Sequence, residues 1–137
     1  MHNLNCRLVV GSVLANWKGE IIGISPGAFS TPTLLERIPV LAKEAGKLVK
    51  IEFDSKKIME EKKMIIDDSY IGPGYGEKTE LGTSAIELFA RNEGIFLDNV
   101  YTAKAAAGMF DYIKKGRVKP KENVLFIHTG GSPELFQ

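Results

Sequence analysis

The stretch from Glu20 to Lys50, EIIGISPGAFSTPTLLERIPVLAKEAGKLVK, has the pattern of a short buried strand, a loop and a long helix. Three isoleucines near its start form an apolar run of the length typical of a buried strand. Thr31 before Pro32 predicts a helix start, because threonine is a good N-cap and proline fits the first turn. This order of elements favours an α/β fold.

Further strand and helix signals lie on both sides of this stretch. Residues 8–17 are apolar and rich in small side chains, so their pattern fits either a buried helix or a strand. Residues 51–61 are charged and show no clear pattern. Short strands are predicted at 64–67 and at 124–127, the second as a buried parallel strand. Alternating strands and helices predict a three-layer α/β fold with a mainly parallel sheet.

Three helices have recognisable ends. The helix that begins near Thr31 contains Pro39, which predicts either a kink or a later start. Thr79 is placed to cap a helix that Gly94 ends in the left-handed conformation. A last helix is predicted over residues 102–115, with lysines in its final turn and a glycine after it.

The composition fits a single globular domain. The 137 residues are 44% hydrophobic and 26% charged, and 18 basic against 17 acidic residues give a formal charge of +1. Balanced charge disfavours a nucleic-acid partner. No run approaches the ~20 apolar residues of a membrane span, and the first residues lack a signal-peptide pattern. We therefore predict a soluble, cytoplasmic protein with neither a membrane nor a nucleic-acid partner.

Metal-binding and disulfide chemistry are not expected. The sequence has one cysteine, Cys6, and two histidines. One cysteine cannot form an intramolecular disulfide, and these residues are too few for a zinc site. Cys6 is therefore predicted to be a small buried apolar side chain, and no metal ion is predicted.

Two glycine-rich segments are candidates for a binding site. In α/β folds, ligands bind beyond the carboxyl ends of the strands, which is where Thr129, Gly130 and Gly131 are expected to lie. The second segment is Gly72–Gly76, GPGYG, whose spacing matches neither the dinucleotide fingerprint nor a Walker loop. Each segment has a structural alternative, a tight turn in the first case and a surface turn in the second.

The start of the last helix carries two further candidates. Tyr101 could transfer a proton, and Lys104 could act as a nucleophile. A lysine early in a helix is usually solvated, so the solvated interpretation is favoured for Lys104. No set of nucleophile, base and orienting residue emerges from the sequence.

Four segments in chain order resemble the family of D-cysteine desulfhydrase and 1-aminocyclopropane-1-carboxylate (ACC) deaminase. They are YIGPGYG at 70–76, ELFARNEGI at 87–95, LDNVYTAKA at 97–105 and VLFIHTGG at 124–131. The resemblance is strong from about Met64 onward and weaker over residues 8–50. It implies a partial large domain of a fold-type II enzyme that depends on pyridoxal 5'-phosphate.

The resemblance also implies that important parts of the family's site have no match here. These parts are the lysine that holds the cofactor covalently, an active-site serine and the loop that binds the cofactor phosphate. We therefore expect residues 1–137 to be a single C-terminal part of a longer enzyme, inactive alone. A missing N-terminal half and further copies of the chain are the expected protein partners.

The same resemblance assigns six site residues. Tyr75 and Tyr101 match the two active-site tyrosines. Thr102, Thr129, Gly130 and Gly131 match positions at the cofactor, with Thr129 at the pyridine nitrogen. The deaminase branch has glutamate at position 102 and leucine at 129, so both threonines favour the desulfhydrase branch. A neutral partner at the nitrogen leaves the ring a milder electron sink, which suits β-elimination. One departure is Ala103, where the family usually has glycine.

The resemblance leaves three functions open. The favoured one is β-elimination of D-cysteine, or of a related small amino acid, to pyruvate, ammonia and sulfide. The alternatives are ring opening of the ACC-deaminase type and a non-catalytic remnant or binding module. A flavodoxin-like nucleotide binder is disfavoured, because residues 26–30, PGAFS, make a poor phosphate loop.

Overall fold

The computed structural model describes residues 2–61 and 64–131. Its elements are helix α1 (His2–Leu14), strand β1 (Ile21–Ile24), helix α2 (Thr31–Leu48), helix α3 (Ser55–Glu61), strand β2 (Met64–Asp67), helix α4 (Glu80–Glu93) and helix α5 (Thr102–Lys114). The two strands pair in a small parallel sheet, which agrees with the α/β class. In the described ranges no helix is long and apolar enough to cross a membrane.

The described residues form two compact units, which we describe separately. Of the described residues, the first unit contains 2–23, 29–61 and 64–67, and the second contains 24–28 and 68–131. The strand predicted over residues 20–25 is confirmed and spans Ile21–Ile24, and the strand predicted at Met64–Asp67 is also confirmed. The ambiguous run at residues 8–17 lies largely in helix α1.

The first unit packs α1, α2 and α3 around one apolar core. Its buried side chains are Cys6, Val9, Val10, Leu34, Ile38, Ala42 and Met59. Cys6 is buried there, as the sequence predicts. Helix α2 begins one residue earlier than expected, because Ser30 rather than Thr31 is the N-cap and its hydroxyl accepts a hydrogen bond from the Thr33 amide. The helix continues through Pro39, so the alternative of a later start is wrong.

The second unit is built on the packing of α4 against α5. Its core contains the buried side chains of Ile24, Tyr70, Ala85, Phe89, Leu97, Ala103, Ala106, Ala107 and Tyr112. The Thr79 hydroxyl accepts a hydrogen bond from the Gly82 amide at the start of α4. Gly94 ends that helix with a φ of 66°. Both predicted ends of α4 are therefore confirmed.

The segment at 124–127 is not a strand, so that prediction is wrong. Leu125 is 72% exposed, and Val124 and Ile127 are also exposed. The Phe126 ring does pack on Phe89, with the ring centroids 5.3 Å apart. An apolar run becomes a strand only beside a partner that completes its hydrogen-bond ladder. The sheet of the described residues contains only β1 and β2, so this segment has no such partner there.

Candidate functional site

The glycine-rich loop between β2 and α4 presents Tyr75 at the surface of the second unit. Gly72 and Gly76 have φ values of 72° and 83°, which side chains larger than glycine rarely adopt. A β-carbon at Gly72 would also overlap the Thr79 side chain. These requirements fix the path of the loop on either side of Tyr75, which is 51% exposed.

The tyrosines at positions 75 and 101 lie side by side. Tyr101 is the N-cap residue of α5, and its hydroxyl is hydrogen-bonded to the Tyr75 hydroxyl. The two rings meet edge to face, with centroids 6.1 Å apart and an interplanar angle of 66°. The structure therefore brings together the two candidate catalytic residues of the sequence analysis, one from the glycine-rich loop and one from the start of α5.

Asp98 organises the start of α5 beneath Tyr101. Its side chain is 1% exposed. Its carboxylate accepts hydrogen bonds from the amides of Val100, Tyr101 and Thr102, at 2.7 to 2.9 Å. It also accepts one from the Thr102 hydroxyl at 2.6 Å. The carboxylate thus satisfies amides that have no partner within the helix. The sequence analysis missed Asp98, although an aspartate just before a helix start is a known capping signal.

The hydrogen bonds keep Asp98 charged although it is buried. Burial alone raises the pKa of a carboxyl group. In Asp98 the bonds from Thr102, Tyr101 and Val100 outweigh that effect and lower the pKa below its ordinary value. The start of α5 therefore contains a fixed negative charge, which its backbone amides stabilise.

The Thr102 hydroxyl forms its hydrogen bonds with Asp98. Thr102 is 2% exposed, and its hydroxyl donates to Asp98 Oδ1 and accepts from the Asp98 amide at 2.8 Å. Its role at a cofactor stays a prediction. The Thr102 hydroxyl helps to hold the helix start that carries Tyr101.

Replacing Thr102 by valine should destabilise the chain. Valine keeps the shape but removes both hydroxyl hydrogen bonds, so we expect a loss of about 1 to 2 kcal/mol in the free energy of unfolding. Urea denaturation followed by circular dichroism measures this loss. Thr102→Ser is the matched control, since it keeps the hydroxyl and should lose less. Equal stabilities for the two variants would contradict this role.

Gly131, the last residue of the segment Thr129–Gly131, lies against the same carboxylate. Gly130 and Gly131 have φ values of 110° and 96°. A β-carbon at Gly131 would overlap the Asp98 side chain, so only glycine allows this approach. His128 is hydrogen-bonded through Nε2 to the Phe96 carbonyl at 3.0 Å. Asp98 therefore joins the start of α5 to Gly131, in the first of the two glycine-rich segments that the sequence analysis identified.

Thr129 and Gly130 are open to a ligand. The Thr129 side chain is exposed. Apart from Gly130 and its two chain neighbours, no described residue has an atom within 4 Å of the point where a β-carbon at Gly130 would stand. A hydroxyl beside an open backbone surface can form a hydrogen bond with a flat ring that lies on the glycine.

The favoured expectation for Lys104, a solvated side chain, is wrong. Lys104 is 1% exposed. Its ammonium donates to the carbonyls of Ile71 at 2.7 Å, Gly74 at 2.9 Å and Pro26 at 3.5 Å. Burial lowers its pKa, and the charge of Glu77 partly opposes that shift. An ammonium held by carbonyls in this way is not placed to act as a nucleophile.

Ala103 is accommodated in the helix packing. It is buried, and its methyl group would lie 3.6 Å from a β-carbon at Gly82 in α4. Its added methyl therefore fills the α4–α5 contact. Within residues 2–61 and 64–131, no three histidine, cysteine, aspartate or glutamate side chains are grouped so as to hold a metal ion.

Comparison with known proteins finds a similar sequence and a similar solved structure. It is 46% identical over 130 residues to D-cysteine desulfhydrase of Klebsiella pneumoniae, and the match covers 94% of this chain and 37% of that protein. A crystal structure of an ACC deaminase homologue matches with a TM-score of 0.73 and 32% identity, over 93% of this chain and 36% of that one. No family model matches the chain. The chain thus spans little more than a third of the relatives that it matches, and the predicted resemblance and α/β class are confirmed.

Proposed function

We propose that this chain, a relative of D-cysteine desulfhydrase and ACC deaminase in sequence and fold, supplies the tyrosine pair of a pyridoxal-phosphate-dependent lyase. The observation that carries the proposal is the hydrogen bond between the Tyr75 and Tyr101 hydroxyls. The proposed substrate is D-cysteine or a related small amino acid. The reaction consumes water and releases pyruvate, ammonia and sulfide.

The residues of the segment Thr129–Gly131 are chemically suited to the cofactor's ring. Thr129 offers an exposed hydroxyl, which can pair with a ring nitrogen. Gly130 leaves open space in which a planar group can approach the backbone. Thr129, Gly130 and Gly131 are therefore the proposed contacts to the pyridine edge. Thr102 acts indirectly in this proposal, by holding Asp98 and the start of α5.

The tyrosine pair supplies the proton chemistry. Pyridoxal phosphate, when bound, serves as an electron sink for the reacting amino acid. A phenol hydroxyl both donates and accepts, so Tyr75 and Tyr101 can pass a proton between them through their hydrogen bond. One phenol can then donate a proton to the departing sulfur, and the other phenol can donate its own proton to the first. An exposed Tyr75 leaves this pair accessible to a substrate.

Position 129 favours elimination over ring opening. Threonine is neutral, so it pairs with the ring nitrogen without placing a carboxylate there. Thr102 is also neutral, and its hydroxyl donates a hydrogen bond to Asp98. The fold match to an ACC deaminase homologue keeps ring opening of ACC as the second candidate.

A chimeric enzyme tests the proposed function. In it, this chain replaces the 130 matching residues of the Klebsiella pneumoniae protein. Incubated with D-cysteine, L-cysteine and ACC in turn, the chimera should release pyruvate and sulfide from D-cysteine faster than it releases ammonia from ACC. Faster release from ACC would favour ring opening. A folded chimera that binds the cofactor but acts on none of the three would favour a non-catalytic module.

A further inference from the structure

Lys104 connects the two elements that carry the tyrosines. It lies in the first turn of α5, three residues after Tyr101. Its ammonium reaches the carbonyls of Ile71 and Gly74, and Gly74 immediately precedes Tyr75. The Lys104 side chain therefore links the helix start that carries Tyr101 to the loop backbone next to Tyr75.

The hydrogen-bond partners of this ammonium make it a clamp, meaning a side chain that holds the loop by its backbone carbonyls. An ammonium group has three N–H donors, and the structure directs them at the carbonyls of Ile71, Gly74 and Pro26. Within the described residues no carboxylate forms an ion pair with it. The charge of Glu77 acts on this ammonium without a direct ion pair, so burying the ammonium is costly unless its hydrogen bonds are satisfied. The loop must therefore keep its carbonyls turned inward, which fixes the direction of the chain at Tyr75.

The loop's conformation depends on contacts with residues outside the loop. Backbone hydrogen bonds within the loop run from the Ile71 amide to the Asp68 carbonyl and from the Glu77 amide to the Gly74 carbonyl, both at 3.3 Å. Glycines make the unfolded loop especially mobile, so fixing it has a large entropic cost. Bonds to a charged donor, which are stronger than neutral ones, are suited to offset that cost.

We propose that Lys104 is a positioning residue, whose ammonium fixes the glycine-rich loop against α5 so that the Tyr75 and Tyr101 hydroxyls meet. Its effect on the tyrosine pair is independent of the proposed function. Its effect on turnover rests on that function. Lys104 itself touches neither substrate nor cofactor in this proposal.

Tyrosine labelled with ¹³C at Cζ tests the proposal on the 137-residue chain. The four tyrosines should give four NMR signals, assigned by single Tyr→Phe variants. In Lys104→Met, the Tyr75 and Tyr101 signals should move toward that of a solvated phenol. The signals of Tyr70 and Tyr112 should stay in place, because their rings pack together in the core. Lys78→Met, at an exposed lysine in the same loop, is the matched control and should leave all four signals unchanged.

Unmoved Tyr75 and Tyr101 signals in a folded Lys104→Met chain would overturn the proposal. If that variant does not fold, the unsubstituted chain still decides the matter. Its Lys104 ammonium should give a slowly exchanging ¹⁵N signal, with contacts to the Gly74 and Tyr75 protons. Rapid exchange like that of exposed lysines, or no such contacts, would overturn the clamp.

The activity consequence is measured in the chimera. Misplacing a catalytic group by about 1 Å can cost roughly 100-fold in rate, so Lys104→Met should lower kcat by about 10- to 100-fold with little change in KM. An unchanged kcat in a folded variant whose tyrosine signals have moved would overturn the catalytic part of the proposal. If the parent chimera is inactive, the proposed function fails while the NMR result still decides the clamp.

Discussion

Replacing Asp98 by alanine is expected to lower the free energy of unfolding of this chain by about 3 kcal/mol or more. The substitution removes the acceptor of three backbone amides and the Thr102 hydroxyl in a buried site. Those donors would be left without partners, which is far more costly than losing an exposed hydrogen bond. Urea denaturation of the variant and the unsubstituted chain measures the difference.

The matched control is an exposed aspartate at the start of a helix. Asp54 accepts hydrogen bonds from the amides of Lys56 and Lys57 at the start of α3. Asp54→Ala should cost about 1 kcal/mol, the usual value for an exposed cap. Equal losses for the two variants would show that burial adds nothing to the role of Asp98.

Acidic pH should weaken the hydrogen bonds that the Asp98 carboxylate accepts. Because the folded-state pKa of Asp98 lies below its unfolded value, its stabilisation is fully present above the ordinary carboxyl pKa of about 4. The stabilisation is lost as the pH falls through the folded-state pKa. The stability gap between the unsubstituted chain and Asp98→Asn should therefore be constant near neutral pH and shrink below about pH 4. A gap that grows toward acid pH would contradict this assignment.

Replacing Tyr101 by phenylalanine in the chimera should cut turnover by about 100-fold or more, the usual contribution of a proton-transfer group. Phenylalanine keeps the ring contact with Tyr75 but removes one hydroxyl of the pair. The cofactor's visible absorption band should remain, because Tyr101 is assigned to proton transfer and not to holding the cofactor. Initial rates of sulfide release and the absorption spectrum together measure the effect.

Two further variants show whether the hydroxyls act as a unit. If they do, the double variant with Tyr75→Phe should be no slower than the worse single variant, since groups that act together give non-additive losses. Tyr70→Phe removes a hydroxyl that donates to Asp111 instead, and should leave turnover nearly unchanged. Loss of the absorption band with normal turnover in Tyr101→Phe would contradict the assigned role.

Local chemistry made the ends of α4 predictable from the sequence. A threonine before a helical pattern and a glycine after it satisfy the backbone groups that every helix end leaves unpaired. Thr79 and Gly94 do this in the structure. The resemblance of four ordered segments also identified Tyr75 and Tyr101, whose proximity no local pattern could have revealed.

The errors concern interactions between distant residues. An apolar run such as 124–127 indicates a preference for burial but does not say whether a neighbouring strand exists. Similarly, Lys104 is buried because loop carbonyls 30 and 33 residues away in the sequence turn toward it. Asp98 was detectable in principle, but its burial and its contact with Gly131 depend on how the unit packs.

The most direct measurement is the rate of sulfide release from D-cysteine by the chimera, compared with that of the Klebsiella pneumoniae protein under the same conditions. If this chain supplies a working tyrosine pair and cofactor edge, the two values of kcat/KM should agree within about tenfold, or 1.4 kcal/mol of transition-state stabilisation. A folded chimera that binds the cofactor yet releases no sulfide would contradict the account.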